Sequence, residues 1–261
     1  MNRRPVRLTA DELARAIATE ALVTRYQPKV RMSDRVPVGV ETLARLRHPR
    51  LGLVGPEQFV PLAESAGLAP MLTAAVTRRA VADIAAVRAE GVALTVALNF
   101  PLEMLEQPEI TENLARDVTE AGLRPEDVIV ELTESQVRDD LAGVRRVTET
   151  LIARGFGVSL DDFGLGGAPH RHLHSLHFTE IKIDQALVLG ALADQTLALA
   201  LDTAVAIGRS MQLTVVAEGV ETPAVWDMLR GMPVDQAQGW LVGRPMLAEE
   251  LADWARTWMA Q

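Results

Sequence analysis

The chain has no cysteine among its 261 residues. That excludes a disulfide framework, a thiolate zinc site and a cysteine nucleophile, so any metal must be held by oxygen or imidazole. A reducing compartment fits. Long apolar runs are also missing. Even the Ala/Leu-rich stretch from Leu187 to Ile207 is cut by Asp194 and Asp202, short of the roughly 18 apolar residues of a membrane span. The N-terminus carries Arg3, Arg4 and Arg7 but continues with Asp11 and Glu12, not with the apolar stretch of a signal peptide. These absences predict a soluble, cytoplasmic protein with no membrane partner. Basic charge is in deficit, 26 Lys and Arg against 35 Asp and Glu for a net −9, which argues against a nucleic-acid polymer held through its phosphates. A small anion stays open wherever a metal neutralises the site.

What is present is 48% hydrophobic residues without a low-complexity segment, enough for one large core. Thr9 and Glu12 spell a capping box, and Leu13, Ala14, Ile17 and Ala21 mark an amphipathic helix leading to Tyr26. Short apolar runs follow, at Leu94 to Leu98, Val128 to Val130, Val158 to Leu160, Ile181 to Ile183 and Leu213 to Ala217, and read as buried parallel strands. Helix signatures lie between them, such as Gly55-Pro56 with Gly67 at the far end, and Thr222-Pro223 closed by Gly231. Adding Tyr26 to Val30, Val38 to Leu43 and Ala237 to Trp240 predicts an α/β fold, a TIM-like (βα)8 barrel. Residues 1–22 are its helical lead-in and 23–261 the barrel. Only Ser33, Asp34, Arg35 and a few neighbours separate the first two strands, too few for a parallel crossover, so the first strand should be antiparallel.

In such a barrel the strand C-termini form the active mouth. Here they carry Asn99, Glu131, Asp161 and Asp162, Asp184 and Glu218, with Glu41 inside the second strand. Any one of these could simply cap the next helix. Several carboxylates at one rim would instead repel unless cations relieve them, and hard oxygen donors without cysteine point to Mg²⁺ or Mn²⁺, with Asp161-Asp162 able to serve two ions. In Ile181-Lys182-Ile183, alternation turns the lysine into the barrel. It either orients water and phosphoryl oxygen there or forms a structural pair with Glu180 or Asp184.

At these residues the chain resembles the EAL-domain family of cyclic di-GMP phosphodiesterases, from about Tyr26 to the C-terminal helix. The matching segments are Tyr26-Gln27-Pro28, Glu41-Thr42-Leu43 with Arg45 and His48-Pro49, Asn99, Glu131-Leu132-Thr133-Glu134, Asp161-Asp162-Phe163-Gly164, Lys182-Ile183-Asp184, Ala217-Glu218-Gly219-Val220-Glu221 and Gln238-Gly239. The resemblance implies hydrolysis of cyclic di-GMP to linear pGpG on a barrel with an antiparallel first strand. It implies Glu41, Asn99, Glu131 and Asp161 as ligands of one metal, and Asp161 and Asp162 as ligands of a second. Lys182 would hold the nucleophilic water, with Glu218 beside it. Gln27, Arg45, Asp184, Glu221 and Gln238 would attend to substrate, and Glu134 would anchor the loop after Asp162. The family pairs through that loop, which leaves open a homodimer and an upstream sensor or receiver domain or partner protein.

The chain departs from the family pattern in three places. Thr42 replaces the alanine of Glu-Ala-Leu, but faces away from Glu41 by alternation. Leu165-Gly166-Gly167-Ala168-Pro169 replaces a hydroxyl-bearing loop, and Pro101 stands where serine is common. His170, His172, His174 and His177 crowd the same loop and read as a solvated helix start in preference to a zinc or pH-sensing site. The competing functions are a cyclic di-GMP receptor that hydrolyses poorly, motivated by the altered loop, and a Schiff-base barrel enzyme acting through Lys182, which leaves the carboxylates unexplained.

Overall fold

A computed structural model describes residues 8–164 and 173–260. Strands β1 (Leu22–Arg31) and β2 (Pro37–His48) form an antiparallel hairpin. The short β3 (Gly52–Val54) folds back on the end of β2. Strands β4 (Thr95–Asn99), β5 (Val128–Thr133), β6 (Gly157–Phe163), β7 (Glu180–Ile183), β8 (Thr214–Ala217) and β9 (Gln236–Gln238) follow in parallel order from β2. β9 then pairs antiparallel with β1 and closes an eight-strand barrel that leaves β3 outside. The expected hairpin is present for the expected reason: the chain reverses in a tight turn in which Arg35 adopts φ 63°, too short to cross over a barrel face.

Helices wrap the barrel wherever the predicted start and stop signals stand. Helix α1 (Ala10–Ile17) has the full Thr9/Glu12 capping box. Its buried Leu13, Ala16 and Ile17 join Leu46, Val54, Phe59, Ala63 and Leu72 in a satellite core, shared with α2 (Pro56–Ser65) and α3 (Ala69–Ala89). α4 (Leu102–Leu105) and α5 (Pro108–Glu120) come before β5, and α6 (Glu134–Asp139) and α7 (Leu141–Ala153) before β6. α8 (Gln185–Gly190), α9 (Gln195–Ser210) and α10 (Pro223–Arg230) complete the shell. The last helix, α11 (Ala248–Met259), packs along β1 and against α3; Trp254 Nε1 donates to Val242 O at 3.1 Å, and at its far end Trp258 Nε1 donates to Arg35 O at 2.7 Å with the Arg35 guanidinium 4.5 Å from the Trp258 ring centroid.

The interior has two storeys. In the lower one, Lys29 of β1 and Glu180 of β7 meet across the barrel at 2.9 and 3.2 Å, both buried. Gly39 lies opposite Lys29, where a Cβ would fall 2.3 Å from Thr95 Oγ1 and 3.5 Å from Lys29 Cε, so only glycine lets β2 approach β4 here. Glu180 is thus committed to Lys29, not to Lys182.

A buried pair stripped of one partner leaves an uncompensated charge. Lys29→Met or Glu180→Leu alone should lower unfolding free energy by about 3–5 kcal/mol. The double variant Lys29→Met/Glu180→Leu should recover most of that loss. Urea midpoints of the four proteins check this, and equal, additive losses would contradict it.

Candidate active site

Alternation sends residues 39, 41 and 43 of β2, 129 and 131 of β5, 159 and 161 of β6, and 180 and 182 of β7 to the barrel interior. The upper storey is therefore Glu41, Glu131, Asp161 and Lys182, all buried. Lys182 Nζ lies 3.1 Å from Glu41, 3.2 Å from Glu131, 2.9 Å from Asp161 and 2.8 Å from Glu218. Burial alone would lower its pKa, but these four carboxylates outweigh that and push it well above the usual lysine value.

Glu41 is the most heavily hydrogen-bonded of the four. Its Oε2 accepts from Gln238 Nε2 at 2.6 Å as well as from Lys182, and its Oε1 faces Asn99 Nδ2 at 3.5 Å. Burial pushes its carboxyl up, but Lys182 and Gln238 more than offset that and hold it below the ordinary value. Gln238 is itself steadied by Gln27, whose Oε1 it reaches at 3.4 Å while Gln27 Nε2 donates to Gly243 O. Glu131 has no such help. Among the described residues neither of its buried oxygens has an aligned hydrogen-bond donor, and burial raises its pKa well above normal.

Asp162 follows Asp161 and by strict alternation would point outward. A register shift between β6 and β7 at Leu160/Phe163 and a left-handed φ of 56° bring it instead to the mouth, a conformation that Asp tolerates better than most residues. Its N–H donates to Asp161 Oδ1 at 3.0 Å. Two overlapping triads result, Glu41/Glu131/Asp161 and Asp161/Asp162/Glu218, each with ligand oxygens within 4.8 Å of one another. Four carboxylates around one ammonium, with the Asp162 carboxylate beside them and Glu131 left without an aligned donor, form a set that fits divalent cations.

The remaining predicted residues lie as follows. Glu134 is buried and its Oε2 accepts from Gly164 N at 3.0 Å, at the start of the loop it was expected to anchor. Asp184 caps α8, accepting from Ala186 N at 2.6 Å, as its cap reading allowed. Arg45 shares the inward face of β2, with Nη1 folded onto Ala44 O at 2.8 Å. Glu221 lines the mouth cavity together with Gln27, Asp161, Asp162, Glu218 and Gln238. So do Leu43, Gln185 and Trp240, which the sequence analysis did not single out; an aromatic directly after Gln238-Gly239 was the available signal. Thr42 faces away from the mouth as expected, opposite Tyr26, with its hydroxyl buried. The loop Leu165 to Pro169, His170 and His172 lie outside the described residues. His174 is exposed, and His177 Nε2 sits 3.5 Å from Glu149 on α7.

Fold and site together define an α/β barrel with a buried carboxylate cluster and a lysine at its C-terminal mouth. The EAL domain profile matches residues 10–245, and the chain belongs to that family. It is 35% identical over 241 residues to MucR of Pseudomonas aeruginosa, a bifunctional diguanylate cyclase/cyclic di-GMP phosphodiesterase, covering 92% of this chain and 35% of MucR. To the cyclic di-GMP phosphodiesterase PA2567 of the same organism it is 36% identical, over 94% of this chain and 42% of that protein. The chain thus spans well under half the length of these relatives. A solved MucR phosphodiesterase structure in complex with c-di-GMP superposes with a TM-score of 0.87, covering 92% of this chain and 98% of that one.

Burial, and then the charge of Asp161, push Asp162 up to about 6 from 3.8, and burial pushes Glu218 up to about 8 from 4.5. The folded chain therefore keeps protons that the unfolded chain releases, and these groups cost stability as pH rises through that window. A divalent ion competes with those protons. In chelated protein the thermal midpoint should fall from pH 5 to 8, and the gain on adding millimolar Mg²⁺ or Mn²⁺ should grow over the same range. Asp161→Asn should shrink that gain, while a gain independent of pH in the unmodified chain would contradict the assignment.

Proposed function

We propose that the chain is a cytoplasmic, cyclic-guanylate-specific phosphodiesterase that hydrolyses cyclic di-GMP to linear pGpG with Mg²⁺ or Mn²⁺. The observation that carries this reading is the convergence of Glu41, Glu131, Asp161 and Glu218 on Lys182, in a chain whose relatives include named cyclic di-GMP phosphodiesterases. A sensor or receiver domain and a second copy of the chain are proposed as its regulatory partners.

Glu41, Asn99, Glu131 and Asp161 would hold one ion, and Asp161 and Asp162 a second. When bound, such ions polarise water and the phosphoryl oxygens of an in-line displacement. The chain's own groups do the rest. Lys182, kept charged by its neighbours, offers donors to the attacking water or to a phosphoryl oxygen from the buried base of the mouth. Glu218 lies 2.8 Å from that ammonium and, with its pKa near 8, suits the removal of the water's proton as the new P–O bond forms. The P–O3′ bond breaks as the new one forms, and the departing 3′ oxygen gains a proton from solvent that balances the one Glu218 took from the attacking water, so that the products are a 5′-phosphate and a 3′-hydroxyl. Gln238 and Asn99 fix Glu41, so that a carboxylate under repulsion keeps its place.

Incubating purified protein with cyclic di-GMP and Mn²⁺ or Mg²⁺, followed by chromatography, should yield pGpG, and chelator or Asp161→Asn should abolish it. Binding without cleavage by the unmodified chain would replace this reading with the receptor. Glu218→Gln should lower kcat roughly 10²- to 10⁴-fold, the usual worth of a general base. Full turnover in that variant would remove the assigned role.

A further inference from the structure

Asn99 is the least secured of the residues assigned to a metal. It ends β4 and is exposed, and its side chain makes one hydrogen bond among the described residues, the 3.5 Å approach of Nδ2 to Glu41. Its place therefore depends on the backbone that follows, and that backbone is poorly provided. Phe100 N donates to Glu131 O at 3.3 Å, but Pro101 has no N–H to give, and α4 starts behind it without a side-chain cap. The serine common at this position, whose hydroxyl could cap the helix, is absent.

A side chain from the next strand's loop closes the gap. Gln136, in the first turn of α6, accepts through Oε1 from Thr133 N at 2.8 Å and from Thr133 Oγ1 at 3.2 Å, and donates from Nε2 to Phe100 O at 3.2 Å. One end of the amide meets an N–H and the other a carbonyl, which fixes its orientation. A capping box takes glutamate as readily as glutamine here. Glutamate would serve Thr133 equally well, but would face Phe100 O with no proton to give. Only the amide does both. Thr133 lies level with Asp161 across the β5–β6 ladder, as Glu131 does with Asn99 across β4–β5. Gln136 thus ties the Asn99 loop to the strand that presents Glu131.

We propose that Gln136 is a positioning residue for the metal site, fixing the loop that carries Asn99 so that this side chain meets the ion held by Glu41, Glu131 and Asp161. This rests on the reading of those four residues as ligands and adds to it the group that orients the weakest of them.

The test is calorimetric titration of Mn²⁺ into chelator-stripped protein without substrate. Gln136→Met and Gln136→Glu should both bind Mn²⁺ roughly 10- to 100-fold more weakly, the usual cost of removing the partner that orients a ligand. For Gln136→Glu this runs against its added negative charge, which alone would draw a cation in. In an Asn99→Ala background, Gln136→Met should change the affinity by less than about twofold, because the ligand it acts through is gone. Turnover of cyclic di-GMP by either Gln136 variant should recover as Mn²⁺ is raised, and the thermal midpoint of Gln136→Glu in chelator should stay within about 3 °C of the unmodified protein, since the cap is kept. Unchanged Mn²⁺ affinity in Gln136→Glu would overturn the proposal. So would a Gln136→Met loss that persists undiminished without Asn99, or a weakened affinity matched by a collapse of the midpoint in Gln136→Glu, either of which would mark the residue as structural. If the unmodified chain binds Mn²⁺ but cleaves nothing, the hydrolytic reading fails by itself and the titrations still decide the role of Gln136. If it binds no Mn²⁺, the metal reading fails and this proposal with it.

Discussion

One ammonium group organises this barrel. Lys182 Nζ touches carboxylates contributed by β2, β5, β6 and the end of β8. No two of these residues are close in sequence. Four negative charges would not gather in a buried space of their own accord, because each repels the others and has lost its water. The lysine offsets only part of this, which is why Glu131 and Glu218 retain a high proton affinity while Glu41, with two further donors, does not. The residual imbalance is the chemical asset. A neutral, fully paired cluster would have no use for a cation, whereas the oxygens of this one could hold a small, hard divalent ion that would relieve their repulsion.

The lower storey explains how such a cluster can exist without dissolving the fold. Lys29 and Glu180 satisfy each other, so the charge beneath the active storey is closed and neutral. Glu180 and Lys182 lie two residues apart on β7 and face the same way, yet have separate partners. Apolar packing around the outside carries the stability: Val96, Val130, Val158, Ile181 and Val215 are buried between sheet and helices. The outward residues of each strand hold the barrel together, and the inward ones are free to be polar.

Much of this was legible because two local rules act on short segments. Short runs of three to five residues marked the parallel strands, and alternation within Ile181-Lys182-Ile183 placed the lysine inside. The brevity of the Ser33-Asp34-Arg35 connection gave the hairpin. What escaped was non-local or irregular. β3 is only three residues long, Gly52–Val54, and owes its state to β2 instead of to its own pattern. That Glu180 would choose Lys29 of a strand 151 positions away in sequence has no local signature. Asp162 reaches the mouth through a left-handed residue and a register shift, which alternation cannot foretell. Asp184 shows the opposite limit: a carboxylate at a strand end can still be a helix cap.

The rim of the mouth is held by backbone, and this bears on how the site can be precise. Glu134 accepts from Gly164 N just beyond the Asp161-Asp162 pair, and Gly239 locks the β9 loop onto Val220 between Glu218 and Glu221. Each tie joins consecutive loops of the barrel, so a displacement of one would have to carry its neighbour. Side chains that repel one another keep a fixed arrangement only if their attachment points do not yield, and a catalytic site benefits from donors and acceptors already oriented before substrate arrives. The carboxylate cluster therefore depends as much on two glycines and a buried glutamate at its margin as on the lysine at its centre.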